Sequence, residues 1–335
     1  MDNLKTPQIS IIIPVYNVAP YIEACLESIC SQTFRDFEIL LVDDKGNDDS
    51  VSVADNFLKR KGTIPYRILE YGFNGGLSVA RNCGLEAAKG EFVIFLDGDD
   101  TIELHMLERL YQLLTPGMDL SACGIRLVFP ESETTEALPQ PDYKEAITGT
   151  ELLIDMLAGK YQAQIVKHLF RKSVFGAVRF PAKMLYEDML TLPNLLLNTR
   201  KARVVPDPLY NYIQRTSSLS RRFNPELPGI FKFLDQTIGN VKANSTSTAA
   251  LRGALKIYEL NALFNISTNT VFATDKAQIA PVLKECRKRL KIGSLRVMAA
   301  KMNKREVFKA GLLSVLLVSP ALFLKIGRKF LGSKK

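Results

Sequence analysis

The sequence predicts an α/β protein, a mostly parallel sheet with helices on both faces, followed by a C-terminal helical extension. Three observations carry that expectation. Apolar runs of strand length, such as Ile9–Ile13, Phe37–Val42 and Phe92–Leu96, alternate with helical stretches about every twenty residues in the first part of the chain. Two of these runs stop abruptly at acids, Asp43-Asp44 and Asp97-Gly98-Asp99-Asp100. Beyond about residue 230 the pattern becomes helical and basic.

Ile9–Ile13 is almost entirely β-branched, and Pro14, which cannot donate a ladder hydrogen bond, is expected to close it. Pro20 suits a first helical position, and Ile22, Cys25, Leu26 and Ile29 follow at helical spacing. A second strand over 37–42, a helix around 51–59 and a third strand near 66–69 come next. Asn74-Gly75-Gly76 opens a helix of small residues through Ala88, Gly90 ends it, and the fourth strand starts at Phe92. In such sheets ligands bind at the carboxyl ends of the strands, where segments 14–17, 43–49 and 97–100 all fall, so three strand ends converge on one pocket. Past Pro116 the alternation weakens: 120–129 is strand-like, 130–142 reads as a polar loop, and helical patterns resume near Thr148. The α/β domain is expected to span 1–225 and the basic helical region 226–335.

At 335 residues and 47% hydrophobic content the chain is long enough for one large domain plus an appendage. A net charge of +9 suits nucleic acid, an anionic membrane or a polyphosphate ligand, and the distribution discriminates among them. Acids gather early, at Asp43, Asp44, Asp48, Asp49 and Asp97 to Asp100, while bases accumulate after Lys284. One end suits a metal and the other anions, and no nucleic-acid partner is expected. The five cysteines (Cys25, Cys30, Cys83, Cys123 and Cys286) are scattered without a Cys-x-x-Cys pair, which indicates neither zinc nor a disulfide framework. No charged-then-apolar leader precedes Pro7, so a cytoplasmic location is expected and the sequons at Asn244 and Asn265 carry no role.

Carboxylates massed at the exposed end of a buried strand repel one another, and they persist at low cost only with a cation among them. Asp97-Gly98-Asp99 lets two carboxylates face one hard cation, magnesium or manganese, although Asp and Gly also make plain turns. At Asp43-Asp44 a carboxylate can accept from an imide N–H or a ribose hydroxyl, or simply cap a turn. Asn74-Gly75-Gly76 offers free backbone N–H groups as a phosphate seat, or forms an ordinary glycine turn.

Ile-Ser-Ile-Ile-Ile-Pro-Val-Tyr-Asn, Val-Asp-Asp with a following Asp-Asp-Ser, Asn-Gly-Gly-Leu-Ser-Val-Ala-Arg-Asn-Cys-Gly-Leu and Gly-Glu-Phe-Val-Ile-Phe-Leu-Asp-Gly-Asp-Asp occur in this order. Over about residues 8–115 the chain thereby resembles the family 2 glycosyltransferases. A fainter echo runs through Lys167–Ser173, Arg179-Phe180-Pro181, Tyr186-Glu187-Asp188 and Tyr210-Asn211-Tyr212. The resemblance implies the GT-A fold, a Rossmann-like nucleotide-sugar part at about 8–115 with an acceptor part at about 116–225. It implies inverting transfer of a sugar from a nucleotide diphosphate, usually UDP, to a hydroxyl of a glycan or lipid-linked glycan.

On that resemblance Pro14, Tyr16 and Asp44 line the base and ribose pocket with Asp43 beside them, and Asn74 and Gly98 border the donor. Asp97 and Asp99 form the Asp-x-Asp motif for Mn2+ or Mg2+, with Asp99 in direct contact and Asp97 nearer the ribose. Glu187-Asp188 matches the family's Glu-Asp element, which makes Asp188 the general base supported by Glu187. Without the resemblance, both acids would simply favour the first turn of a helix over 189–197. Two departures stand out: Lys45-Gly46-Asn47 replaces the frequent Gly-Ser-Thr, and Gly98 stands where Ser or Ala is common. His168, among Val166, Leu169 and Phe170, and His105 read as structural residues, not metal ligands. Tyr212, Arg215, Ser217, Ser218, Arg221 and Arg222 read either as a lid over the diphosphate, with Arg215 its leading residue, or as a solvated loop.

Ala310–Leu324 is apolar except for Gly311, Ser314, Ser319 and Pro320, and basic residues flank it from Lys301 to Lys309 and from Lys325 to Lys329. Its length of about fifteen residues falls short of the roughly twenty that a spanning helix needs. Segment 306–330 therefore reads as an interfacial anchor on an anionic membrane surface, peripheral on the inner face, with a core or homodimer helix, or a true span, as the alternatives. Two competing functions remain in view. Nucleotidyl transfer shares the carboxylates and metal, but no basic glycine-rich triphosphate loop lies near the first strand. A non-catalytic sugar-nucleotide-binding scaffold is disfavoured by the joint presence of Asp44, Asp97, Asp99 and Asp188.

Overall fold

In the computed structural model, which describes residues 6–62, 64–215, 223–273, 275–299 and 304–331, the apolar runs become strands. β1 (Ile9–Val15) leads to α1 (Ile22–Cys30), β2 (Phe37–Asp43) to α2 (Ser50–Lys61), β3 (Tyr66–Glu70) to α3 (Leu77–Ala87), and β4 (Phe92–Phe95) delivers the acidic turn. Every residue of β1, β2 and β4 is buried, because both faces of these strands are covered. The α/β part continues with β5 (Thr101–Ile102), α4 (Met106–Gln112), β6 (Leu120–Phe129), β7 (Thr134–Ala137), β8 (Ile147–Thr148) and the first turn of α5 (Gly149–Leu157). It closes with β9 (His168–Arg171), α6 (Glu187–Asn198) and β10 (Lys201–Ile213).

The strand order is β3-β2-β1-β4-β9-β6-β10-β5, with β7 on β6 and β8 on β10. β3, β2, β1 and β4 are parallel, β6 is parallel to β10, and β9 runs antiparallel to both β4 and β6. Two reversals in succession restore direction, so β1, β2, β4, β6 and β10 all end on one edge of the sheet. After the acidic turn the chain crosses that edge, and β5 pairs antiparallel with β10 through Tyr210–Ile102 and Asn211–Thr101.

Pro14 does not close the first strand. β1 runs one residue further and Pro14 pairs with Val42. Leu96 N–H donates to Ile12 O and Asp44 N–H to Val15 O, so strand alternation points Pro14 toward β4, beyond the last rung, where no ladder bond is lost. Likewise α1 begins at Ile22, with Pro20 in the preceding turn, and the polar stretch 130–142 contains β7 paired with Arg126–Phe129. α3 lies close on the sheet: a Cβ at Gly84 would come within 2.3 Å of Ile12 Cγ2. That approach sets the depth at which Arg81, one turn earlier, meets the strand ends.

The chain divides into two compact units, Met1–Leu153 with Gln162–Gln214, and Ile154–Tyr161 with Arg215–Lys335. The second is helical, with α7 (Ile230–Asn244), α8 (Ala249–Asn269), α9 (Lys276–Arg289), α10 (Ile292–Ala299), α11 (Lys304–Val318) and α12 (Pro320–Leu331). Thr248 and Asp275 cap α8 and α9 by accepting from Leu251 N–H and Ala277 N–H. Arg289 donates to both oxygens of Asp235 at 2.6 and 2.7 Å. The apolar tail is not one helix: it breaks at Pro320, and α11 buries Ala310, Leu312, Leu313 and Leu316. Among the described residues no helix is long and apolar enough to cross a membrane.

Candidate active site

The loops after β1 and β2 are stapled together at the ligand edge. Ser50 Oγ accepts from Val18 N–H at 2.8 Å, Asp48 Oδ2 from Ala19 N–H at 3.0 Å, and Asn17 Oδ1 from Asn47 N–H at 2.7 Å. Asn17 and Lys45 both sit at positive φ, 53° and 54°, a costly conformation that this bonding holds in place. Between the loops lies a pocket of about 140 Å³ lined by Asn17, Asp43, Lys45, Gly46, Asp48 and Ser50 among others. Asp43 is buried and accepts from Lys45 Nζ at 2.7 Å, and Lys45 also reaches Glu70 at 3.0 Å. Lys45, which replaces a small residue of the usual turn, thus brings a cation to the pocket. Pro14 is buried in β1 and Tyr16 is half-buried just after it.

Asp44, only 3% exposed, organises the loop after β3. Its Oδ1 accepts from Gly75 N–H at 2.8 Å, Gly76 N–H at 2.9 Å and the Tyr71 hydroxyl, and its backbone O accepts from Asn74 Nδ2 at 2.7 Å. The N–H groups of Gly75 and Gly76 are therefore not free for a phosphate, as the sequence suggested. They are held by an aspartate about thirty residues earlier, a pairing that local pattern cannot reveal.

The acidic turn is tied together by a residue that sequence reasoning passed over. Arg81, on α3 and 2% exposed, donates from Nη2 to Asp97 Oδ1 at 3.0 Å and from Nη1 to Glu187 Oε1 at 2.8 Å and Asp188 Oδ1 at 3.0 Å. Burial opposes its charge, yet Asp188, Asp97 and Glu187 together raise its pKa above the ordinary value. One guanidinium thus joins the Asp-x-Asp turn to the Glu-Asp element 90 residues on, and Phe180 lies 5.5 Å away under it. Glu187 and Asp188 open α6 behind Tyr186, whose φ of 60° turns the chain into the helix. Asp188 Oδ2 accepts from Ile165 N–H at 3.0 Å. Burial pushes its carboxyl up to about 7, with Arg81 opposing and Glu187 adding to the shift.

Asp100, 2% exposed, takes a different part. Tyr210 OH donates to its Oδ2 at 2.7 Å and Ile213 N–H to its Oδ1 at 2.8 Å, which fastens the end of β10 to the acidic turn. Burial, then the charges of Asp97 and Asp99, push its carboxyl up to about 8, so at neutral pH it is largely protonated. Repulsion among the three acids is thus relieved partly by Arg81 and partly by this proton.

Among the described residues no three His, Cys, Asp or Glu side chains form a ready-made metal cage. Half-buried Asp99 and Asp97 offer oxygen alone at a strand end. That donor set fits magnesium or manganese, which bind through one or two carboxylates and take further ligands from water and phosphate oxygens. His168 is buried, stacks on Phe170 at 5.3 Å, and burial holds it neutral with a pKa well below the ordinary value, as a packed residue. His105 is a surface residue at the start of α4, 3.3 Å from Thr33 Oγ1. Tyr212 lies on β10 and Arg215 is half-buried in the second unit, whereas Ser217, Ser218, Arg221 and Arg222 fall outside the described residues.

A mostly parallel sheet with stapled loops, paired carboxylates and a buried arginine at its ligand edge has the architecture of a nucleotide-dependent transferase. The profile of glycosyl transferase family 2 matches residues 10–177, half of the chain, and the protein belongs to that family. It is similar to the uncharacterized glycosyltransferase YibD of Escherichia coli (strain K12), 30% identical over 224 residues, which cover 65% of this chain and 64% of YibD. The matched stretch thus spans just under two thirds of that relative. Among solved structures, TarS 1-349 of S. aureus in complex with UDP-GlcNAc superposes with a TM-score of 0.69 at 19% identity, covering 98% of this chain and 92% of that one. Mannosyltransferase PcManGT from Pyrobaculum calidifontis, in complex with GDP-Man and Mn2+, gives a TM-score of 0.57 at 16% identity, covering 99% and 89%. At such identities the likeness establishes the fold, which is GT-A with helices appended.

Proposed function

We propose that the protein is an inverting glycosyltransferase that moves a sugar from a nucleotide-diphosphate donor, a UDP-sugar, to a hydroxyl of a glycan or lipid-linked glycan. The observation that carries this reading is Arg81 holding Asp97 and Asp188 at once. It sets the Asp-x-Asp turn that holds the donor at a fixed reach from the acid that takes the acceptor's proton. In the displacement the acceptor oxygen bonds to the anomeric carbon as the carbon–oxygen bond to the diphosphate breaks. The acceptor's proton passes to Asp188, whose raised pKa, about 7, makes its anion a competent base near neutrality. Asp43, Asp44, Pro14 and Tyr16 frame the nucleoside end, Asn74 and Gly98 border the donor, and Arg215 is assigned to the diphosphate. Asp99 and Asp97 would hold Mg2+ or Mn2+, which supplies charge to the departing diphosphate.

The test is incubation with a panel of nucleotide sugars and manganese. Release of a nucleoside diphosphate is expected, with loss of activity on chelation by EDTA and recovery on adding Mn2+. Release of pyrophosphate would identify a nucleotidyltransferase instead, and full activity in EDTA would remove Asp97 and Asp99 from a metal role.

We further place the protein peripherally on the inner face of the cell membrane, where a lipid-linked acceptor would lie. Supporting this, Leu322 and Phe330 of α12 are 47% and 56% exposed, and Val318, at the end of α11, is 81% exposed. Leu322, half-buried Ile326 and Phe330 recur at four-residue steps along α12, beside exposed Lys325 and Lys329. Phe323 and Gly327 beside this stripe are buried, and Arg328 donates to Ala273 O at 3.0 Å, so the helix packs along the neighbouring side. An apolar stripe edged with lysines matches an anionic headgroup boundary. Leu322→Glu with Phe330→Glu is expected to abolish co-sedimentation with phosphatidylglycerol vesicles while the far-ultraviolet circular dichroism is kept; undiminished binding would remove α12 as the anchor.

A further inference from the structure

Phe73 is the most exposed aromatic ring at the ligand edge, 60% accessible in the loop between β3 and α3. A phenylalanine left in water forgoes the burial that ordinarily stabilises it, and such a ring on a loose loop would fold away. This loop is not loose. Asp44 holds it on both sides of Phe73, through the Tyr71 hydroxyl before it and through Asn74, Gly75 and Gly76 after it. Tyr71 packs against Phe73 in a T-shape, with centroids 5.3 Å apart and planes at 81°, a contact that uses at most one of the two faces of Phe73. The other face stays open. Tyr71, the ring's packing partner, itself donates to Asp44, and Asp43 beside Asp44 lines the pocket between the first two loops, so Phe73 stands next to the strand end that carries Asp43 and Asp44. Meanwhile Asp44 Oδ1 already accepts three hydrogen bonds from the protein.

We propose that Phe73 is a stacking platform for the nucleobase of the donor, so that Asp44 contributes to nucleoside recognition by presenting this ring. The proposal rests on the donor reading above. Stacking of a base on an aromatic ring is tolerant of base identity, and its loss lowers affinity by about 5- to 150-fold. Phe73 therefore supplies affinity for the nucleoside, and the hydrogen-bonding groups of the pocket supply the choice among bases.

The chain contains no tryptophan, so Phe73→Trp creates a single fluorophore at the site. With Mn2+ present, UDP and GDP are expected to quench its emission, and inorganic pyrophosphate is not. Phe73→Ala is expected to weaken binding of the preferred nucleotide at least about fivefold by calorimetry and to raise donor KM with kcat within about twofold, and Phe73→Tyr to restore both. The platform is overturned if Phe73→Ala binds the nucleotide as tightly as the parent, or if Phe73→Trp binds it by calorimetry with unchanged emission. A parent protein that binds neither nucleotide would overturn the donor reading itself, and the platform with it.

Discussion

Asp188→Asn is expected to lower kcat by about 10²- to 10⁴-fold while the Kd for UDP stays within about twofold, as for the loss of a positioned general base. The carboxylate is fixed from both sides, by Arg81 Nη1 on Oδ1 and by Ile165 N–H on Oδ2. An asparagine matches its shape but has only one acceptor oxygen, so its amide nitrogen must face either Arg81 or the Ile165 N–H, donor against donor. That local conflict costs about 1–3 kcal/mol, which the rest of a large core absorbs. The pH profile separates chemistry from folding. The base works as its anion, and burial raises its pKa to about 7, so kcat/KM in the parent is expected to climb with pH through about 7 and level off above it. In Asp188→Asn that limb should vanish. Initial rates from pH 5 to 9 decide the matter, and near-normal turnover by the variant would remove Asp188 as the base.

The strands and the acids at their ends were legible because their signals are local. Burial on both faces makes β1, β2 and β4 continuous apolar runs, and an acid at the end of such a run is conspicuous. What the sequence did not disclose are pairings across distance. Asp44 shows in the sequence only as an acid at a strand end, because nothing nearby reveals that Tyr71, Gly75 and Gly76 turn back to it. Nothing beside Asp100 sets it apart from Asp97 and Asp99 in the same turn. Its burial follows from the register of β5 on β10, which brings Tyr210 and Ile213 over it. Arg81 did leave a trace: it shares the buried side of α3 with Ser78, Gly84 and Leu85, and an arginine among small residues on a buried helix face implies carboxylates waiting for it. The tail shows the same limit, since its apolar run conceals one helix that buries Leu312, Leu313 and Leu316 and another that exposes Leu322 and Phe330.

Removing Arg81 should be the most damaging single change in the site, because its guanidinium balances three carboxylates inside the protein. Arg81→Met leaves Asp97, Glu187 and Asp188 facing one another, their side chains 30%, 13% and 22% exposed, without their shared cation. Breaking a buried ion pair from one side costs about 3–5 kcal/mol, and thermal unfolding of the variant should show a loss of that order. Arg81→Lys retains a charge but not the fork. An ammonium on a flexible stem cannot hold Asp97 and Asp188 at a fixed separation, so kcat/KM is expected to fall about 10²-fold with a much smaller loss of stability. The pH dependence carries the distinguishing signature. Arg81 is the largest influence that lowers the Asp188 pKa against burial, ahead of the Ile165 N–H, so weakening it should move the acid limb of kcat/KM to higher pH than in the parent. A purely structural arginine would reduce the amount of active enzyme and leave that limb in place. Combining Arg81→Lys with Asp188→Asn closes the argument: if the two residues act as one unit, the double variant should be scarcely slower than Asp188→Asn alone, whereas multiplicative losses would show that Arg81 acts elsewhere.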